Sequence, residues 1–130
     1  MTYKICRTCN RSQPESFYHS AGRKNGKKYK RKVCKECYSI TKRLYRVKKK
    51  EWYEVIKKNL SCKKCGYSKL THPNTFSPKA MQFHHADDNK EFAVSGAVYM
   101  GYSREKIVKE INKCTALCSR CHAEEHDKLN

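Results

Sequence analysis

Four Cys-x-x-Cys pairs carry the most specific chemistry in this chain of 130 residues. They account for eight of the nine cysteines and are Cys6/Cys9, Cys34/Cys37, Cys62/Cys65 and Cys118/Cys121. Two such pairs supply the four thiolates of a tetrahedral zinc site, and disulfide scaffolds do not usually show this spacing. Pairing in chain order predicts two structural zinc ions, one in each half of the chain. An interleaved pairing, in which the first pair shares an ion with the third, stays open.

Four histidines indicate a second kind of metal chemistry. His122 and His126 follow the last cysteine pair, and their spacing of four residues places both imidazoles on one face of a helix. His84 and His85 are adjacent in a segment with the pattern of a short strand, whose neighbouring side chains point to opposite faces. Near pH 7 a neutral imidazole can act as a general base or as a ligand of a divalent ion.

Positive charge is concentrated in one stretch of the chain. The formal net charge is +18, and residues 23–50 contain fourteen Lys or Arg against the single acid Glu36, a net +13. A merely solvated surface usually mixes both signs, so this asymmetry predicts a nucleic acid as partner. The candidate DNA-binding residues are Lys27, Lys28, Lys30, Arg31, Lys32, Lys42, Arg43, Arg46, Lys49 and Lys50.

The elements that must position these residues follow from periodicity and capping. A basic helix is predicted over 35–59, after a hairpin or loop that exposes the lysines between Gly22 and Lys32. Further on, the pattern predicts strands at 80–85, around 91–95 and at 114–117, and helices at 103–111 and 119–128. Ser103 is the expected N-cap of the first of these helices. Cys114 is interpreted as a small buried residue of the last strand.

Taken together, these motifs resemble a known family. Over about residues 60–128, their order and spacing are similar to those of the HNH endonucleases of the zinc-knuckle kind, which are common in bacteriophages. The matching segments are Phe83-His84-His85-Ala86-Asp87, Lys90-x-Phe92 and Lys113-Cys114-x-x-Leu117-Cys118-x-x-Cys121-His122-x-x-x-His126. The resemblance implies a ββα-metal core that hydrolyses phosphodiester bonds with the help of a divalent ion, and it implies double-stranded DNA as the partner.

The resemblance also implies a role for individual residues. His85 would be the general base that activates water, and His84, His122 and His126 would hold a catalytic Mg²⁺, Mn²⁺, Ni²⁺ or Zn²⁺. The asparagine that normally orients the base falls at Lys113, with Asn112 one residue earlier. Either Asn112 reaches the base through a shifted register, or the base is held in another way.

The predicted protein is therefore a small α+β chain held together by zinc, because small folds bury too little apolar surface to rely on a core alone. We expect an N-terminal four-cysteine module at 1–40, a basic linker helix at 41–60 and an HNH nuclease domain at 61–130. Met1-Thr2-Tyr3-Lys4 leads directly to Cys6 without a signal-peptide pattern, and no apolar run approaches the roughly 18 residues of a membrane span. We therefore expect a reducing, cytoplasmic compartment, in a bacterial host of a phage by the resemblance.

Other interpretations stay open. The serious alternative is a non-catalytic zinc-finger protein that binds DNA or RNA. His122-Ala-Glu-Glu-His126 also matches the His-x-x-Glu-His pattern of inverted zinc metallopeptidases, although a position directly after a cysteine pair in a chain of charge +18 disfavours it. His122 and His126 could instead replace cysteines in a structural zinc cluster. A homodimer is left open, as is the question of whether one strand or both would be cut.

Overall fold

The computed structural model describes residues 2–128, which form a small protein of mixed helices and strands. It divides into two units, the first extending to Val47 and the second beginning at Lys48, so that the division falls within helix α1 (Lys35–Lys58). This helix agrees with its predicted span to within one residue. Within the described range, no helix combines the length and the apolar character that crossing a membrane requires.

Two antiparallel strand pairs build the first unit. Strand β1 (Tyr3–Ile5) pairs with β2 (Ser12–Pro14), and β3 (Tyr18–Lys24) pairs with β4 (Lys27–Cys34). Asn25 and Gly26 connect β3 to β4 with φ angles of 53° and 77°. These left-handed conformations are those that a two-residue type I′ hairpin turn requires. The predicted hairpin is thus confirmed, and β4 carries most of its basic residues.

Beyond α1, the described part of the second unit contains one antiparallel strand pair, three α-helices and a short 3₁₀ helix (Pro78–Ala80). The strands and α-helices are β5 (Met81–His85), α2 (Val94–Ala97), α3 (Arg104–Ile111), β6 (Cys114–Cys118) and α4 (Ser119–Asp127). The β5–β6 register runs from Met81 opposite Cys118 to His85 opposite Cys114. Helix α4 begins directly after β6, and the Ser103 hydroxyl accepts a hydrogen bond from the Lys106 N–H at 3.2 Å, as predicted for the cap of α3.

The strand predicted around 91–95 is wrong, because this segment leads into helix α2. Val94 and Ala97 are both buried and lie three residues apart, so one helical turn presents both to Ile107 of α3. A strand would instead have turned adjacent residues to opposite faces. An alternation of apolar and polar residues over so few positions does not distinguish a strand from a helical turn when the neighbouring helix is unknown.

Two small cores hold the second unit together. One consists of Met81 and Leu117 packed with three of the cysteines of the second zinc-type cluster. The other contains Val94, Ala97 and Ile107, against which Phe83 of β5 and Tyr53 of α1 pack. Strand β5 therefore lies between the cysteine cluster and the helical layer, and its residues reach both.

Lys49 is a buried anchor, whereas the sequence placed it among the DNA-binding cations. Its side chain is 2% exposed, and its ammonium donates hydrogen bonds to the carbonyls of Met100, at 3.1 Å, and Tyr102. Burial lowers the pKa of Lys49, and the nearby Arg104 adds to that effect. The charge run is therefore not a uniformly solvated face.

We expect Lys49→Ala to lower the free energy of unfolding by about 1–3 kcal/mol, because the carbonyls of Met100 and Tyr102 lose their hydrogen-bond donor. The neighbouring Lys48→Ala, at an exposed position of the same helix, should change it by no more than about 0.5 kcal/mol. Urea unfolding of the zinc-loaded protein measures both. Equal stability of the two variants would contradict the anchoring role.

Candidate metal centres and nucleic-acid interface

The eight paired cysteines form two clusters, and the pairing follows chain order. Within each cluster the sulfur atoms all lie within 4.8 Å of one another. The first cluster contains Cys6, Cys9, Cys34 and Cys37, and the second contains Cys62, Cys65, Cys118 and Cys121. Four thiol ligands at this separation fit a structural zinc ion. The prediction of two four-cysteine clusters paired in chain order is confirmed, and the interleaved pairing is excluded.

The first pair of each cluster forms the same tight turn. Asn10 and Gly66 directly follow the second cysteine of their pairs and have φ angles of 60° and 77°. Their N–H groups each donate a 2.9 Å hydrogen bond to the carbonyl of the first cysteine, Cys6 or Cys62. Glycine and asparagine are the residues that adopt this left-handed conformation most readily. The two turns are therefore local structures that the Cys-x-x-Cys-Asn and Cys-x-x-Cys-Gly sequences themselves favour.

These turns also prepare the sulfur atoms for metal binding. Burial raises the pKa of Cys6, but backbone N–H groups, among them that of Cys34 at 3.3 Å, lower it to about 6 overall. The same balance lowers the pKa of Cys62 to about 6. A thiolate is the form that binds zinc, so each cluster has one cysteine that is ionised near neutral pH before any ion arrives.

Three histidines converge at the junction of β5 and α4. One ring nitrogen each from His84, His122 and His126 lies within 4.8 Å of the others, and the Nε2 atoms of His122 and His126 are 3.0 Å apart. His84 and His122 are partly buried, whereas His126 is exposed. Histidine nitrogens bind divalent ions at roughly 2.0–2.1 Å, so one ion could contact all three rings after small side-chain adjustments. The cluster is open to solvent on the side of His126.

Gln82 fixes the orientation of one of these rings. Its amide oxygen lies 2.5 Å from Nδ1 of His122. Because an amide oxygen only accepts, Nδ1 of His122 must carry the proton and Nε2 is left as a free lone pair within the cluster. Burial first, and then the neighbouring histidines, lower the pKa of His84 and of His122. Both rings therefore remain neutral, the form that binds metal, at the pH values where an ordinary histidine begins to protonate.

His85 points away from this cluster, toward helix α3. Its Nε2 atom lies 3.0 Å from Oε1 of Glu110, a carboxylate that is 2% exposed, and 3.3 Å from the sulfur of Cys114. Lys113 donates to the other carboxylate oxygen, Oε2, at 3.0 Å. The N–H of Glu91, followed by Lys113 and His85, lowers the pKa of Glu110 to about 2 in spite of burial. Glu110 is therefore ionised throughout the neutral pH range.

A cavity of about 390 Å³ brings the two groups of histidines onto one surface. His85 and His122 both line it, although His122 belongs to the three-histidine cluster and His85 contacts Glu110 and Cys114. Three lysines, Lys57, Lys79 and Lys90, also contribute to its wall. Such a cavity, with cationic side chains beside two imidazoles, has the size and charge to accept a phosphate group.

The sequence-predicted orienting residues lie apart from His85. Asn112 is exposed at the end of α3 and lines a different cavity with Trp52 and Arg104. The ammonium of Lys113 binds Glu110 at 3.0 Å and the carbonyl of Asn89 at 3.0 Å, rather than the ring of His85. Sequence reasoning missed Glu110 and Gln82, because neither belongs to the metal-ligand motifs.

Most of the candidate DNA-binding residues are exposed. On β4 of the first unit they are Lys27, Lys28, Arg31 and Lys32, with Lys30 partly buried beside the carbonyl of Tyr18. On α1 they are Lys42, Arg43, Arg46 and Lys50. The cationic groups of Arg31 and Lys42 lie over the ring of Tyr38, at 5.0 Å and 5.2 Å from its centroid, a favourable cation–π geometry, and both residues are exposed.

Comparison with known proteins adds no relative: no protein-family model, curated protein or solved structure matches the chain. The structure itself establishes a small α+β protein with two four-cysteine clusters that fit structural zinc.

Proposed function

We propose that the chain is a metal-dependent endonuclease of the HNH kind that hydrolyses DNA phosphodiester bonds. Strand β5, strand β6 and helix α4 follow one another in the order that the resemblance implies for a ββα-metal core. His84 lies on β5, and His122 and His126 lie on α4, so the three ring nitrogens meet where these elements pack. This agreement between sequence motif and local fold supports the proposal.

The observation that carries the proposal is the shared cavity. A base needs to reach the same phosphate as the ion that stabilises it, and His85 and His122 both line this cavity. Lys57, Lys79 and Lys90 add positive charge to the same wall. A structural zinc cluster or an isolated surface histidine would require neither the second set of imidazoles nor the surrounding lysines.

A divalent ion held by His84, His122 and His126 would supply charge stabilisation at the phosphate and the leaving oxygen. The protein residues perform the other tasks. His85 accepts the proton of the attacking water, and the lysines of the cavity wall hold the non-bridging phosphate oxygens. The exposed cations of β4 and α1 bind the phosphate backbone, which orients the nucleic acid without reading its sequence.

A plasmid assay tests the proposal through the histidine cluster. We expect protein dialysed against metal-free buffer to cut supercoiled DNA only after addition of Mg²⁺, Mn²⁺, Ni²⁺ or Zn²⁺, and His126→Ala to lose that activity. Dialysis is preferable to a strong chelator, because a chelator would also remove zinc from the cysteine clusters. A gel shift on the same samples should show unchanged DNA retention.

His72→Ala is the matched control, since His72 is exposed and lies outside the cluster. It should cut as the wild type does. If wild-type protein retains DNA but cuts it with none of these ions, the chain is a zinc-stabilised binding module and the endonuclease proposal fails. Cutting by His126→Ala at the wild-type rate would instead remove the three-histidine site from the mechanism.

A further inference from the structure

We infer that Glu110 is a positioning residue of the reaction, which fixes the tautomer of His85 so that Nδ1 is the atom that accepts the proton from water. The inference rests on the proposed endonuclease function and adds a residue to it. It also gives Lys113 a role, because the ammonium of Lys113 binds the carboxylate of Glu110.

The hydrogen bonds of the Glu110 carboxylate carry the argument. Oε1 lies 3.0 Å from the N–H of Glu91 and 3.0 Å from Nε2 of His85, and Oε2 lies 3.0 Å from the ammonium of Lys113. Two of these partners can only donate, and an ionised carboxylate can only accept. Nε2 of His85 must therefore donate as well, and a neutral His85 then carries its lone pair on Nδ1.

Burial makes this arrangement rigid. The Glu110 side chain is 2% exposed and that of His85 10% exposed, so little water competes for their hydrogen bond. Two donors besides His85 hold the carboxylate, one from the backbone and one from a side chain. A ring nitrogen that is bound to a fixed, charged acceptor keeps both its proton and its orientation.

Glu110 thereby takes over a task that the resemblance assigns to the position of Lys113. A lysine ammonium has three donors and no acceptor, so it cannot orient the N–H of a histidine directly. The ammonium of Lys113 contacts instead the carboxylate of Glu110, one helical turn earlier. The asparagine of the family pattern is thus replaced by a lysine and a glutamate acting in sequence.

Cys114 does not compete for the role of nucleophile or base. Burial raises the pKa of its thiol to about 11, so the sulfur stays protonated. Its S–H can donate to the Glu110 carbonyl oxygen, 3.4 Å away, and the sulfur then accepts weakly from Nε2 of His85, 3.3 Å away. Both contacts are compatible with the same histidine tautomer.

The proton and the electron pairs balance in this arrangement. Nδ1 of His85 takes a proton from water as the water oxygen forms a bond to phosphorus. The bond between phosphorus and the leaving sugar oxygen breaks, and that oxygen keeps the electron pair and takes a proton from solvent. The resulting imidazolium of His85 lies beside the negative charge of Glu110, which stabilises it, and it returns its proton to solvent after the reaction.

Glu110→Gln is the decisive variant. Its amide oxygen should turn toward the Lys113 ammonium, a charged and therefore stronger donor than the Glu91 N–H that shares Oε1 with His85, and leave the NH₂ group facing Nε2 of His85. His85 would then carry its proton mainly on Nδ1, and only the minor tautomer could act as the base. We expect kcat for plasmid nicking to fall roughly 10- to 100-fold, the range found when partners of catalytic or metal-binding histidines are removed. KM and DNA retention should stay unchanged.

Glu105→Gln provides the matched control, because Glu105 is exposed on the same helix and the change in charge is identical. Its kcat should equal that of the wild type. Circular dichroism and zinc content should be the same for all three proteins, which separates a positioning effect from misfolding.

Nitrogen NMR of ¹⁵N-histidine-labelled protein reads the tautomer without any reaction. We expect the wild type and Glu105→Gln to show His85 protonated on Nε2, and Glu110→Gln to show it protonated on Nδ1. Wild-type cleavage together with an unaffected Glu110→Gln, or a wild-type His85 protonated on Nδ1, would overturn the inference and leave the endonuclease proposal standing. Absence of cleavage by the wild type with every ion would overturn both.

Discussion

Plasmid cleavage is expected to disappear in His85→Ala while retention of DNA in a gel shift stays as in the wild type. General bases typically contribute about 10²–10⁴-fold to a rate, and alanine offers no group that could accept the proton of water. Binding should survive because the exposed cations of β4 and α1 lie elsewhere in the chain. Initial nicking rates with saturating Mn²⁺ or Mg²⁺ provide the measurement.

His19→Ala serves as the control for this prediction, since His19 is exposed in the first unit and contacts the ring of Tyr38 rather than any candidate metal ligand. Its rate should match the wild type. The two readouts together decide the role of His85. Loss of both DNA binding and cleavage would indicate a misfolded variant. Unchanged zinc content and circular dichroism would exclude that explanation. A variant that still cuts at the wild-type rate shows that His85 is not the base.

Local patterns in the sequence predicted the parts of this protein that depend on neighbouring residues. The Cys-x-x-Cys turns depend on residues that are three apart, and the bounds of helix α1 depend on an uninterrupted run without proline or glycine. The spacing of His122 and His126 likewise fixes their common face before any tertiary contact forms. Pairing the cysteines required only the further step of taking them in chain order.

The contacts that orient the histidines could not be predicted in this way. Glu110 is 25 residues from His85, and Gln82 is 40 residues from His122. Which polar side chain meets which ring depends on the β5–β6 register and on how α3 packs against it. One available signal was Lys113 at the position of an expected asparagine. A partly buried lysine favours an acidic partner, and Glu110, in the last turn of α3, lies three residues before Lys113.

At Lys49 and at helix α2, the local sequence pattern led to a wrong prediction. A run of lysines predicts a solvated face, yet the helix turns one of them inward, where two carbonyls replace water. The apolar residues near 94 suited a strand equally well until Ile107 provided a surface for a helical turn. In both cases the tertiary neighbour, rather than the local sequence, decides the structure.

Loss of one zinc ion and of the second core is the expected consequence of Cys62→Ser. This cysteine is 2% exposed and packs with Met81 and Leu117, so the cluster is itself a large part of the core on which β5 and β6 rest. Serine is a much weaker zinc ligand than a thiolate, and structural zinc sites supply folding energy directly. Mass spectrometry of protein dialysed against metal-free buffer, which empties the open histidine site, should show a fall from two zinc ions per chain to one.

Cys114→Ser is the matched control, because it makes the same chemical change at a cysteine that belongs to neither cluster. It should keep both ions. Cys6→Ser should also retain a single ion, in this case the ion of the second cluster. Thermal unfolding should therefore show that each of the two variants has lost the transition of a different unit. The second unit contains every histidine of the proposed reaction, so Cys62→Ser should lose cleavage together with its zinc. Retention of two ions by Cys62→Ser, or loss of one by Cys114→Ser, would show that the cysteines do not bind zinc as two chain-order clusters.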